Sequence, residues 1–318
     1  MLDAIHSEPL FSLLTSVRTT APPPPVPIPK LGPLHWGDVL EIQGPSGSGK
    51  TQLLYSLVAT CLIPTSHKFI SLGGWGKAAV VFDTEGTFDT RKFRELLISR
   101  LSRALSRSND SSDDTQLLAE MALRKLHVFR PASTAQLAAS ICNLPAYQTA
   151  RMPDADIALV AVDSLSAFYW SDRFTAEQLR PLGLPSNSAT PLQHVFSALQ
   201  TFRISHNPVT VLTNWALAPA NSSQPNAPGP IFYKQHLPLF PALPDSAAVS
   251  SHSIASDGLL NSLALTHHIT LYLASIPPFH DHCNPSFSNP TEAGNMVTGY
   301  IRRPASSQVA HFVFDIGI

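Results

Sequence analysis

Between residues 39 and 214 the chain alternates two hydrophobic patterns. Short strand-type runs occupy Val39–Gln43, which is apolar-alternating, Lys77–Asp83, Leu126–Phe129, the nearly continuous Asp156–Asp163, and Val209–Asn214. Runs of this length, rich in Val, Ile and Leu, predict strands, and the most continuous of them predict strands buried on both faces. Stretches with apolar residues at helical spacing lie between them. In Gln52–Leu62 the apolar positions are Leu53, Leu54, Leu57, Val58 and Cys61, and Pro64 stops the helix. In Asp89–Arg107 they are Phe93, Leu96, Leu97, Leu101 and Leu105. Leu117–Leu126, a helix capped by Ser133 and running through Leu144, and Thr190–Ser205 complete the helical set, with Ser108–Asp114 reading as a polar loop. Strands alternating with helices predict an α/β fold, a mostly parallel sheet flanked by helices. His268–Leu273, Met296–Ile301 and Val309–Ile316 then read as C-terminal antiparallel edge strands with hairpin-type connections.

The flanks of this pattern divide the chain. Residues 1–29 form an N-terminal segment, with one amphipathic stretch (Leu10, Phe11, Leu13, Leu14 and Val17) ahead of a stiff linker, Ala21–Pro29, that carries six prolines. Two readings of that stretch stand: a helix folded back on the core, or a docking peptide for another subunit. Residues 30–318 form one domain, interrupted at about 216–260 by a flexible insertion rich in Pro, Ser, Ala and Asn.

Composition narrows the function. The chain has 318 residues, 44% of them hydrophobic, enough for one large core. A net charge of −1 argues against a strong autonomous DNA binder, so any nucleic-acid contact is local or shared with a partner. Cys61, Cys142 and Cys283 are scattered, which suits small buried residues in a reducing compartment rather than disulfides or zinc ligands. No apolar run approaches the ~18 residues of a membrane span, and acids stand near the N-terminus where a secretory signal needs base. The expectation is a soluble intracellular protein with no membrane partner. Arg91, Lys92, Arg94, Arg100, Arg103 and Arg107 line the 89–107 helix. A solvated face accounts for them more simply than a DNA-binding ridge.

The candidate chemistry begins where the first strand ends. Gly44–Thr51 fits G-x-x-x-x-G-K-[ST], with a strand before it and a helix after. Gly44, Gly47 and Gly49 can adopt backbone angles that let successive N–H groups converge on an anion, and the following helix adds its positive end. Lys50 would reach the β- and γ-phosphates of a nucleotide, and the Thr51 hydroxyl would ligate Mg²⁺. Asp163, closing the strand 156–163, is the expected second Mg²⁺ ligand. Glu85, just past another strand end, is placed to orient or deprotonate an attacking water. Phe168, Tyr169 and Trp170 follow Asp163 closely. Core or interface packing is the favoured reading, with base stacking the alternative.

Three strings carry a resemblance: Gly44-Pro45-Ser46-Gly47-Ser48-Gly49-Lys50-Thr51-Gln52, Asp83-Thr84-Glu85-Gly86-Thr87-Phe88 and Val162-Asp163-Ser164. Together they resemble the ATPase core of the RecA/RadA recombinase family. Trp36–Pro64 and Asp163–Arg173 are most similar to a eukaryotic recombinase paralogue of that family. The resemblance covers residues 31–215 well. It implies a RecA-type P-loop ATPase core with ATP and Mg²⁺ as cofactors, ATP on Gly44–Gln52, the metal on Thr51 and Asp163, and Glu85 as the catalytic carboxylate. It further implies a nuclear subunit of a hetero-oligomer of recombinase paralogues. That complex would act in homologous-recombination repair of double-strand breaks, assisting recombinase loading on single-stranded or branched DNA that the chain alone binds weakly.

Two departures from the family bear on activity. Recombinases carry an N-terminal DNA-binding helical domain, and here residues 1–38 precede the first strand. The family also places a glutamine after its Thr-Asn strand end, where this chain has Trp215 after Thr213-Asn214. An indole cannot supply an amide's paired donor and acceptor. The expectation is a poor ATPase acting in assembly. The alternatives are a competent DNA-dependent ATPase or strand-exchange enzyme, and a RecA-type ATPase outside repair. The self-docking pattern of recombinase linkers, Phe and Ala three residues apart, becomes Phe11 and Leu14 here, which suggests a terminal subunit.

Overall fold

The computed structural model describes residues 26, 28, 30–106, 112–179, 190–216, 233, 263–273, 296–303, 306 and 308–315. Most of the N-terminal segment and of the 216–260 insertion therefore lies outside the described residues, as do Cys283 and Arg107.

In chain order the elements are β1 (Val39–Gly44), α1 (Lys50–Leu62), β2 (Ser66–His67), β3 (Ile70–Ser71), β4 (Ala78–Asp83), α2 (Thr90–Leu105), α3 (Ser112–Leu123) and β5 (Leu126–Phe129). They continue with α4 (Thr134–Cys142), α5 (Leu144–Arg151), β6 (Ile157–Asp163), α6 (Tyr169–Leu179), α7 (Pro191–His206), β7 (Val209–Trp215), β8 (His267–Leu273), β9 (Met296–Arg302) and β10 (Ala310–Asp315). The main sheet runs β10-β9-β8-β1-β7-β6-β4-β5, and β2 and β3 form a separate small hairpin. From β8 to β5 every pairing is parallel. β9 and β10 make the antiparallel edge. β8, which pairs antiparallel with β9 and parallel with β1, is the junction rather than an edge strand.

The runs of β4 and β6 are buried on both sides, and their alternation feeds two cores. Ala79 and Val81 of β4 and Leu159 and Ala161 of β6 face the core beneath α1, α2 and α3. Val80 and Phe82, with Val160 and Val162, face the core beneath α4, α5 and α7. Ile28, at the end of the proline-rich linker, is buried in the first core with Leu31 and Leu34. Truncating a fully buried side chain such as Phe82 would cost about 3–5 kcal/mol.

Several local readings need correction. α3 starts at Ser112, inside the expected 108–114 loop, with Asp113 and Asp114 in its first turn, where the helix dipole favours acids. The helix capped by Ser133 ends at Cys142, and a second one starts at Leu144 with a proline in its first turn. Cys142 is exposed. Arg100 does not join a solvent ridge: burial lowers its pKa to about 10, and its guanidinium donates to the Ser56 carbonyl (3.1 Å) and to Thr60 Oγ1 (2.7 Å).

Candidate functional site

Because β1, β4, β6 and β7 run parallel, their C-terminal ends reach one sheet edge, where ligands of α/β sheets bind. The register aligns those ends residue against residue: Gly44 pairs with Trp215, and Asp83 with Asp163. Candidate residues far apart in sequence thus become neighbours.

Gly44 closes β1, and residues 45–49 carry the chain to α1. Gly47 (φ 74°) and Gly49 (φ 82°) both take the left-handed conformation open to glycine, and Gly49 caps the helix without a side-chain hydrogen bond. The first N–H groups of α1 are therefore left to the loop. Pro45, Ser46 and Gly47 are exposed while Ser48 is buried. Gly44 is required sterically, since an added Cβ would lie 2.9 Å from the Leu271 carbonyl oxygen. Lys50 Nζ donates to the carbonyl oxygens of Gly44 (3.0 Å) and Pro45 (2.8 Å). Burial lowers its pKa, opposed by Asp163 and Glu85, so two carboxylates face the ammonium. The Gln52 side chain instead lines a cavity of about 300 Å³ that also includes Ile28, Arg100, Arg103 and Phe314.

Thr51 Oγ1 donates to Asp163 Oδ2 at 3.1 Å, and Thr213 Oγ1 donates to Asp163 Oδ1 at 2.5 Å. Burial raises the pKa of Asp163, partly countered by those two hydroxyls, with Glu85 and Asp83 adding to the rise. A hydroxyl and a buried carboxylate side by side are the hard oxygen donors that suit Mg²⁺. Thr51 and Asp163 would hold that ion, Gly44–Lys50 would hold the phosphates, and the bound ion would neutralise charge on the phosphate oxygens.

The loop after β4 is fixed by contacts the sequence reading did not foresee. Asp83, 1% exposed, accepts the backbone N–H of Thr87 (2.9 Å) and of Phe88 (3.1 Å) and pairs with Arg130 Nε at 3.1 Å. Thr84 donates its N–H to the Asp163 carbonyl (2.9 Å) and its hydroxyl to the Ser164 carbonyl (2.7 Å). Glu85 thereby stands at the open face of the site, exposed, with Oε1 accepting from Ser164 Oγ (2.6 Å) and Trp215 Nε1 (2.9 Å). Arg130 and Ser164 follow strand ends, the one sequence signal that could have marked them.

Behind the edge runs a buried polar row. Asn214 Nδ2 (2.6 Å) and Gln43 Nε2 (2.9 Å) donate to Glu41 Oε1. His268 Nε2 lies 2.9 Å from Gln43 Oε1, and Arg302 Nη2 lies 2.8 Å from His268 Nδ1. The aromatics after Asp163 are not core: Tyr169 and Trp170 are 45% and 59% exposed at the start of α6, with Arg173 over the Trp170 ring.

Comparison with known proteins fits this geometry. The chain is 35% identical over 141 residues to the DNA repair protein XRCC2 of Mus musculus, covering 44% of each chain. It is 30% identical over 166 residues to the DNA repair protein XRCC2 homolog of Arabidopsis thaliana, covering 45% of this chain and 44% of the relative. It is 24% identical over 194 residues to the DNA repair and recombination protein RadA of Methanoculleus marisnigri, covering 59% of this chain and 52% of the relative. The chain thus spans about half the length of the relatives it matches. The Rad51 family model matches residues 31–231, more than half of the chain and every residue of the cluster from Gly44 to Trp215. The chain belongs to the Rad51 family.

Proposed function

We propose that this chain is an ATP- and Mg²⁺-binding Rad51 paralogue of the nucleus. It works in homologous-recombination repair of DNA as a subunit of a complex of recombinase paralogues that assists recombinase loading on single-stranded DNA. Nucleotide binding, generally with Mg²⁺, is a property of its family. The names of its two XRCC2-type relatives are DNA repair names and carry the repair role to this chain. The observation that carries the nucleotide reading is the 3.1 Å contact between Thr51 Oγ1 and Asp163 Oδ2, beside an amine held by loop carbonyls. Glu85 is the candidate base for hydrolysis. Trp215, at the position of the family's glutamine, favours binding over turnover, because an indole only donates.

The test is titration of the folded chain with a fluorescent ATP analogue in Mg²⁺. Lys50→Ala removes the charge facing the phosphates and should abolish saturable binding. Equal affinity in the folded variant would overturn the site. Co-purification of other Rad51-family chains from native cells tests the partnership, and a chain recovered alone would count against it.

A further inference from the structure

The catalytic candidate of this site is not a free carboxylate. Glu85 Oε1 accepts two donors, Ser164 Oγ at 2.6 Å from the end of β6 and Trp215 Nε1 at 2.9 Å from the end of β7. Both donors are themselves held. Ser164 is 2% exposed, and its carbonyl accepts the Thr84 hydroxyl at 2.7 Å. Trp215 pairs in register with Gly44, and its backbone N–H donates to Ser166 Oγ at 2.9 Å. Ser166 Oγ in turn donates to Asn214 Oδ1 at 3.2 Å. The indole therefore reaches Glu85 from a fixed strand end.

A general base must turn a free lone pair toward the water it activates. Two donors on one oxygen fix the carboxylate's orientation, and charge-assisted hydrogen bonds of this kind are the strong ones. A tryptophan has a single N–H and no acceptor. We propose that Trp215 is a positioning residue: with Ser164 it clamps the Glu85 carboxylate across the ends of β4, β6 and β7, and so holds hydrolysis low. The consequence for turnover rests on the nucleotide reading above. The clamp itself does not.

The experiment has two arms on the full chain. In the first, the indole N–H resonances of the four tryptophans are recorded without nucleotide, and Trp215→Phe identifies the one that belongs to Trp215. Glu85→Ala should move that resonance and leave the other three in place, and an unmoved resonance overturns the clamp. In the second, phosphate release is measured with saturating Mg-ATP. Trp215→Phe should raise turnover about tenfold or more, a small part of the ~10²–10⁴ that a positioned base can contribute, at unchanged ATP affinity. Ser164→Ala should act in the same direction, and adding Glu85→Gln to Trp215→Phe should return turnover to the starting level. Turnover that stays level or falls in Trp215→Phe overturns the restraint. Absence of ATP binding in the unaltered chain would instead remove the proposed function, leaving the indole resonance to decide the clamp.

Discussion

Replacing Asp83 by Ala should show how the loop that carries Glu85 is held. The Asp83 carboxylate is 1% exposed and serves three donors: the N–H of Thr87, the N–H of Phe88 and Arg130 Nε. Removing it strands the backbone donors, and the Phe88 bond is fully buried. A buried donor left unsatisfied costs about 1–3 kcal/mol, so two of them, one only half-buried, amount to about 2–4 kcal/mol. The Arg130 contact adds less, about 1 kcal/mol or under, because that side chain is 61% exposed and its charge is largely solvated whether or not it pairs. The comparison is therefore between Asp83→Ala and Arg130→Ala, each followed by urea unfolding. The expected order is a loss of about 2–4 kcal/mol for the first and under about 1 kcal/mol for the second. Equal losses would mean that the ion pair, not the backbone bonds, secures the loop, and this reasoning would be refuted.

Other outcomes follow from single contacts. Gly44→Ala should destabilise by about 1–3 kcal/mol and weaken ATP binding, since its Cβ would lie 2.9 Å from the Leu271 carbonyl oxygen; urea midpoints and ATP titration read both. His267, 6% exposed, has its pKa lowered to about 4, mainly by burial, with Arg303 and His35 adding and Asp38 opposing. The unfolded chain thus binds a proton that the folded chain refuses between about pH 6.5 and 4, and stability falls as pH drops through that window, by up to about 3 kcal/mol. His267→Asn should flatten that part of the profile, measured as urea midpoints from pH 7.5 to 4.5.

The parallel core was readable because a strand covered on both faces is mostly apolar, as β4 and β6 are. β5 keeps its bounds, and β4, β6 and β7 shift by no more than one residue. The loop Gly44–Thr51 was readable because a backbone cradle needs glycine at fixed spacing. What escaped notice lacked periodicity. β2 and β3 are two residues each, too short to show alternation, and leave Phe69 fully exposed at their turn. Tyr169, Trp170 and Phe174 are exposed on α6, which an apolar count cannot distinguish from core. Trp215 looked like the loss of the family's glutamine because a sequence shows the missing amide and not the carboxylate that lies 2.9 Å from the indole nitrogen.

The buried row from Asn214 to Arg302 extends that point about Trp215. Asn214 precedes Trp215 on β7, and its amide donates to Glu41 in the middle of β1. Through Gln43 and His268 the row continues to Arg302, on β9 of the antiparallel edge. Polar side chains in four adjacent strands are costly in a sheet core unless they bond one another, and the four contacts of this row tie β7, β1, β8 and β9 together in one register. Burial lowers the pKa of Arg302, while Glu41 opposes the fall, so the two charges offset one another across the row. The site edge and the C-terminal strands are thus joined by hydrogen bonds as well as by backbone pairing. A shift of β7 by one residue would turn Asn214 away from Glu41 and move the Trp215 side chain to the opposite face. The row that fixes the register of β7 therefore also fixes the indole that holds Glu85.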